Sequence, residues 1–211
     1  LLQGSLGLGE GYQAGEWDCA DIPGFIARAK NVRPGPLGRL AITLFDRTRK
    51  RQTVERAREN VQRHYDDAGI ELFEPMLGSS MQYSCAYFDG GAETLDEAQL
   101  AKQHLLRRKL ALAPGMHVLD VGCGYGTLAK FLAEQESVAV TGITHSREQA
   151  AYARRGAGNL GVEYLETDYR DAGGKYDRIV SVGMFEHVGA QDHRTCMECL
   201  DRLLKTNGRI V

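Results

Sequence analysis

No apolar run in the 211 residues reaches the ~18 that a membrane-spanning helix needs. The first stretch, LLQGSLGLGE, lacks the basic start of a secretory signal, and it lacks an initiator methionine. Low-complexity tracts are missing too. Cysteine is scattered: of the five, only Cys196 and Cys199 stand close together, and no second Cys or His cluster completes four zinc ligands. No metal site is therefore expected. An odd cysteine count without a disulfide framework points to a reducing compartment, the cytoplasm. Cys196 and Cys199 sit three apart in a helical pattern, where small core hydrophobes fit better than a redox pair.

What is present is unevenly distributed. The net charge is only −2, yet eleven Lys/Arg against three acids lie between Arg28 and Arg63. Such a patch suits an anionic membrane surface. It also suits a solvated helix face, since Glu55 and Glu59 interleave with arginines at helical spacing. No aromatic-interleaved basic groove accompanies it, so nucleic acid is not an expected partner.

The chain changes character near residue 113. Residues 1–35 are Gly-rich and end in the breaker NVRPGPLG; they read as the tail of an N-terminal domain. Residues 36–112 read as a helical linker and active-site cap. That stretch includes one or two helices from Gly38 to about Arg63, the aromatic cluster MQYSCAYF (81–88), which suits a strand or a binding loop, and a helix over 94–112 capped at Thr94. Leu95, Ala98, Ala101, Leu105 and Leu106 mark the expected apolar side of that last helix. From 113 onward strands and helices alternate at short intervals, predicting a doubly wound, mostly parallel α/β sheet. The last helix is expected to run to the glycine of KTNG, with GRIV opening a further strand. A domain that stops inside a strand leaves sheet edge unpaired, so the sheet reads as C-terminally incomplete and the chain as a piece of a longer protein.

The chemistry concentrates at strand ends. VLDVGCGYG puts Gly122, Gly124 and Gly126 at the first strand-to-helix turn, where glycine lets backbone approach a ligand. The spacing is neither the dinucleotide GxGxxG nor a phosphate loop, and Asp120 just before it suits a cationic or amino-bearing ligand. This combination resembles motif I of the S-adenosylmethionine-dependent methyltransferases. The second strand ends in Thr144, His145 and Ser146, with Gln149 one turn into the next helix; the third ends TDYRD. Asp168 there is placed to accept from an adenine amine, and Tyr169 to cover a ring face.

Taken together, MQYSCAYF, LAPGMHVLDVGCGYGTLAKFLAE, VTGITHSREQ, TDYRD and YDRIVSVGMFEHVG resemble the cyclopropane-fatty-acyl-phospholipid synthase family, which includes the mycolic acid cyclopropane synthases. The resemblance implies a Rossmann-like cofactor domain over 113–211. It implies transfer of a methylene from S-adenosylmethionine across the cis double bond of an unsaturated membrane phospholipid, forming a cyclopropane ring. By the same resemblance Tyr83 and Ser84 close over the cofactor, Gly122 and Gly124 contact it through backbone, and Thr144, Gln149, Asp168 and Tyr169 surround ribose and adenine. Cys85 and Glu186 match side chains that hold a bicarbonate ion, the expected proton acceptor; Cys85 would then be an anion-site donor, with His187 behind Glu186. The family's other bicarbonate ligands, a His and a Tyr, match nothing within these 211 residues. HYDDAGIELF departs from the family pattern by an added residue, and Tyr125 stands where Trp is usual. Peripheral attachment to the inner membrane face is expected, and a homo-oligomer stays open. Two other readings share these motifs: a C- or N-methyltransferase without ring closure, acting on a fatty acyl chain or small amine, and a non-catalytic binding remnant.

Overall fold

The computed structural model describes residues 4–31, 35–36, 38, 53–66 and 69–211. It comprises two compact units, Leu1–Lys50 and Arg51–Val211. In the first, α1 (Gly4–Gln13) and α2 (Ile22–Lys30) are joined by a short loop. Asp21 caps α2 by accepting from the Gly24 amide at 2.9 Å, and Pro23 occupies the first turn, where its missing N–H costs nothing. Trp17 packs between Tyr12 and Phe25, with ring centroids 5.1 and 5.0 Å away. Within the helix expected from Gly38 to Arg63 and the basic 28–63 stretch, residues 32–34, 37 and 39–52 lie outside the described residues. The described part forms α3 (Val54–Val61), running into a π-turn over Gln62–Asp66.

The second unit is built on a five-stranded sheet: β1 (His117–Val121), β2 (Ala139–Thr144), β3 (Val162–Glu166), β4 (Tyr176–Val180) and β5 (Leu204–Ile210). The order is β3-β2-β1-β4-β5 and every pair is parallel, so the chain reverses its direction of winding between β1 and β4. This is the expected doubly wound fold. Alternate residues of β1 feed opposite cores, as the two-residue strand period requires. Val118 joins Leu110, Leu128, Leu132 and Val140 on one face; Leu119 and Val121 join Ile143, Ile179, Cys196, Leu200 and Leu203 on the other. Each wholly buried leucine or isoleucine here contributes roughly 1.5–3 kcal/mol by leaving water. The connecting helices α6 (Thr127–Glu136), α7 (Arg147–Gly156) and α8 (His193–Leu203) supply the other half of each core. Cys196 is fully buried and Cys199 half-buried; all five cysteines are free thiols.

Three local features are not fixed by the sequence alone. First, α8 stops at Leu203, and β5 begins at Leu204 rather than Gly208. Leu204 pairs with Tyr176, and a register shift then brings Arg209 opposite Arg178, with Asn207 at φ +64° inside the bulge. Pairing with β4 gives these residues backbone partners that a fraying helix end cannot. Second, MQYSCAYF, which suits a strand or a binding loop, forms no strand: it follows α4 (Ile70–Leu77) and a single turn at Gly78–Ser80 as irregular chain. Third, the buried face of α5 (Leu95–Leu110) is Ala98, Gln99, Lys102, Gln103, Leu106 and Leu110, while Leu95 is exposed. The helix is rotated from its apolar side because it must satisfy the carbonyls of that irregular chain. Gln99 Nε2 donates to Gln82 O at 3.2 Å and to Ser84 O at 3.0 Å. The start of α5 is fixed by the expected Thr94 cap, which forms a reciprocal capping box with Glu97.

Candidate active site

The turn after β1 is set by its glycines and by one acceptor. Gly122 and Gly124 take φ of +80° and +54°, a left-handed region that side chains rarely adopt. A Cβ at Gly122 would lie 2.7 Å from Met184 Cβ, so packing as well as conformation demands glycine there. At Gly124 nothing lies within 4 Å of such an atom: its outer side is open space. The amides of Gly122 and Cys123 both donate to the Ile143 carbonyl, at 2.9 and 3.0 Å, anchoring the turn to the end of β2.

That open space belongs to a cavity of about 480 Å³ at the carboxyl ends of β1, β2 and β4, where the winding reverses. Gly122 and Gly124 form its floor, and Asp120, Thr144, Gln149 and Tyr169 lie along the strand ends. Tyr83 and Ser84 of the irregular segment contribute from above α5, and Ala57, Val61 and Tyr65, spaced by four residues, line it from α3 and its π-turn. Thr144 Oγ1 donates to Gln149 Oε1 at 2.8 Å, while Ser146 caps α7 by accepting from the Gln149 amide at 3.0 Å. Tyr83, though 48% exposed, packs edge-on against Phe73 and Tyr65, at 5.5 and 6.1 Å between centroids.

The charged groups divide into the satisfied and the waiting. Asp168 is saturated. Oδ1 accepts from the Arg170 amide and Nε, both at 2.7 Å; Oδ2 accepts from Arg170 Nη2 and pairs with His145 Nε2, both at 2.6 Å. Burial alone would raise this acid, but the hydrogen bonds from Arg170 and His145 outweigh it and hold Asp168 well below the usual carboxylate range. Its carboxylate is not part of the cavity lining; Thr167, Tyr169 and Arg170 are. Asp120 is the opposite case. It is buried, lines the cavity, and has no hydrogen-bond partner for Oδ2. Burial raises its pKa to about 7.

Lys102 carries no signal in the sequence, because the apolar spacing of its helix points to other positions. It is buried, lines the cavity and donates from Nζ to Ser84 Oγ at 2.7 Å; burial lowers its pKa to about 8. Tyr65, Arg170 and Met184 line the cavity as well: Arg170 stands within TDYRD and Met184 within YDRIVSVGMFEHVG, but nothing in either motif distinguishes them from their neighbours, and Tyr65 lies outside the strand ends altogether. Cys85 and Glu186 are both exposed and stand outside the lining, although His187 is part of it. The two segments nonetheless approach one another. A Cβ placed on Gly183 would meet Ser84 Cβ at 3.3 Å, Glu186 Oε1 at 3.8 Å and Tyr83 O at 3.9 Å. Among the described residues no cluster of His, Cys, Asp and Glu is arranged to hold a metal, and no helix is long and apolar enough to cross a membrane.

Residues 52–211 match the mycolic acid cyclopropane synthetase family. The chain belongs to that family. It is 43% identical to the cyclopropane-fatty-acyl-phospholipid synthase of Escherichia coli K12 over 99% of its own length and 55% of the relative's. Among solved structures it is similar to the cyclopropane synthase MmaA2 from Mycobacterium tuberculosis, at 35% identity and a TM-score of 0.68, covering 72% of this chain and 54% of that one. It is also similar to the mycolic acid cyclopropane synthase CmaA1 complexed with SAH and CTAB, at 38% identity and a TM-score of 0.67, covering 71% and 53%. The chain thus spans about half the length of these relatives.

A buried acid without a partner has a measurable cost. Folding raises the Asp120 pKa from 3.8 to about 7. Below 3.8 both states are protonated and there is no penalty. It develops between the two values, as the unfolded chain ionises first, and is complete above 7. Asp120→Asn is therefore expected to stabilise the ligand-free protein at pH 8, by on the order of 4 kcal/mol, and to have little effect at pH 3.5. Urea unfolding at the two pH values measures this; equal effects at both would mean that Asp120 is hydrated and near its ordinary pKa.

Proposed function

We propose that this chain is the cofactor-binding part of an S-adenosylmethionine-dependent enzyme that converts the cis double bond of an unsaturated phospholipid acyl chain into a cyclopropane ring. The carrying observation is the cavity itself: an unpartnered buried carboxylate beside a glycine turn with open space over Gly124, in a chain of this family. These features fit S-adenosylmethionine. Asp120 would take its ammonium group, the Gly122–Gly124 backbone would let it approach closely, and Thr144 with Gln149 would meet the ribose hydroxyls. Tyr169 would cover the adenine, and Tyr83 and Ser84 would close over the methionyl end. Asp168 reaches the adenine amine only if His145 or Arg170 gives up a bond, since all of its roughly four acceptor sites are taken. When bound, S-adenosylmethionine supplies an electrophilic methyl group.

The apolar residues of the cavity, with α3 and its π-turn over it, keep water from competing for that methyl. Ring closure also requires that a proton leave the added carbon. Bicarbonate, when bound, supplies a weak oxyanion for that purpose, and we assign its local ligands as Cys85 and Glu186, whose segments meet at Gly183. Neither side chain is a cavity wall, which suits a site beside the cofactor rather than under it.

The cofactor assignment is tested by Gly124→Val. A branched side chain at φ +54° is strained and projects into the open space, so S-adenosylhomocysteine binding should be lost by calorimetry while circular dichroism stays native. Unchanged affinity in the folded variant would remove the turn from the site.

The chemistry is tested with the full-length protein. Membrane lipids of expressing cells should gain one CH₂ and lose alkene reactivity in mass spectra. Glu186→Gln should lower turnover by roughly 10²-fold with little change in cofactor affinity, as for groups acting in the transition state. Cys85→Ser should cost less than Cys85→Ala. Wild-type rates and an unchanged response to bicarbonate in Glu186→Gln would discard the anion site.

We further propose that the basic 28–63 segment attaches the enzyme to the anionic, cytoplasmic face of the membrane. Each Lys or Arg near the surface adds about 1 kcal/mol, weakened by salt. Co-sedimentation with liposomes should rise with anionic lipid and fall with added salt; indifference to both would leave the segment a solvated helix face.

A further inference from the structure

The cavity holds a second group that the fold leaves without a counter-charge. Lys102 sits mid-way along α5 at 7% exposure, one turn before Leu106. Its Nζ donates to a neutral hydroxyl, Ser84 Oγ, and it pairs with no carboxylate among the described residues. Burying an ammonium under such terms is expensive, and an aliphatic side chain would fill the helix face at less cost. Asp120 lines the same cavity with the reverse deficit, a buried carboxylate oxygen that meets no hydrogen-bond donor among the described residues. An unpaired buried cation and an unpaired buried anion facing one cavity are the complement of a zwitterion.

We propose that Lys102, oriented by Ser84, receives the α-carboxylate of the cofactor's methionyl end while Asp120 receives its α-ammonium, so that the two together select an intact amino acid group. The assignment rests on the S-adenosylmethionine reading above and names what reads one end of that ligand. It also gives Ser84 a definite part: its hydroxyl accepts from Lys102 at 2.7 Å and keeps its own proton for a second acceptor. The depression of the Lys102 pKa to about 8 is what burial without an anion produces, and an arriving carboxylate would reverse it.

The test compares two ligands on the full-length protein in bicarbonate-free buffer: S-adenosylhomocysteine and its decarboxylated counterpart, which keeps the amine and the nucleoside. Calorimetry should show Lys102→Met weakening S-adenosylhomocysteine by roughly ten- to a hundredfold, the usual result of removing one partner of a buried charge pair. Affinity for the decarboxylated ligand should stay unchanged, and Lys102→Arg should recover part of the loss. Equal weakening of both ligands would overturn the proposal, because Lys102 would then only support the Ser84 segment. Unchanged S-adenosylhomocysteine affinity would overturn it as well. If Lys102→Met does not fold, Ser84→Ala makes the same comparison and should show the same selectivity at smaller size. A small inorganic oxyanion shares the carboxylate's chemistry, so bicarbonate is titrated alone. Loss of its binding in Lys102→Met without loss of ligand selectivity would assign the ammonium to that ion instead. Failure of the unmutated protein to bind S-adenosylhomocysteine at all would remove the cofactor reading itself.

Discussion

One carbonyl, that of Ile143, governs the placement of everything else in the site. By accepting from two successive amides, Gly122 and Cys123, it fastens the turn after β1 to the last residues of β2. The turn can lie there only because β2 carries Gly142: a Cβ at that point would press against Tyr164 Cδ1 at 2.8 Å and Cys123 Sγ at 3.0 Å. Tyr164 in turn donates to the Gly126 carbonyl at 2.7 Å, closing the turn from below at the start of α6. Three strands and one helix are thus referred to a single point. The floor of the cavity inherits their rigidity, and the open side of Gly124 is what remains uncovered.

Around this floor the polar groups serve two separate ends. Asp168 is spent on structure: with Arg170 and His145 it forms a closed knot, and the Arg170 guanidinium also lies 5.2 Å from the Tyr169 ring centre. Nearby, Arg58 of α3 reaches Glu166 at 2.7 Å, and Ser146 bonds to Asp66 of the π-turn. These ties join α3 and its π-turn to the ends of β2 and β3. Asp120 Oδ2 meets no donor among the described residues, and Lys102 meets only the neutral hydroxyl of Ser84. A fold that pairs Asp168 so completely and leaves these two groups without a counter-charge distributes its charge according to what the site must meet, since uncompensated buried charge is the more costly choice for stability.

Reading the sequence recovered the sheet because strand and helix periods there are short, regular and punctuated by glycine. It also recovered the strand-end positions, since topology alone brings Asp120, Thr144 and Tyr169 to one edge. Local signals failed where long-range partners decide. Nothing in KTNG announces that Leu204 will pair with Tyr176, far back along the chain, so the local pattern of α8 continues past its true end. Nothing in MQYSCAYF shows that its carbonyls will be met by Gln99, so strand and loop looked equally good. The same blindness hid Lys102. Its significance lies in the absence of a carboxylate neighbour, and an absence in space leaves no trace in a string of residues.

The clasp that Gln99 makes has a mechanical meaning. A neighbouring strand would hold the 82–84 chain by a ladder of rungs, each taking its own share of any load. Here one nitrogen of α5 serves two carbonyls, and Lys102 of the same helix holds the Ser84 hydroxyl, so the chain hangs from one helix face. Whatever shifts that face carries Tyr83, Ser84 and Cys85 with it as one piece. The residues assigned to the cofactor and the residue assigned to the anion are therefore geared together, and a sequence change along α5 that retunes one must retune the other.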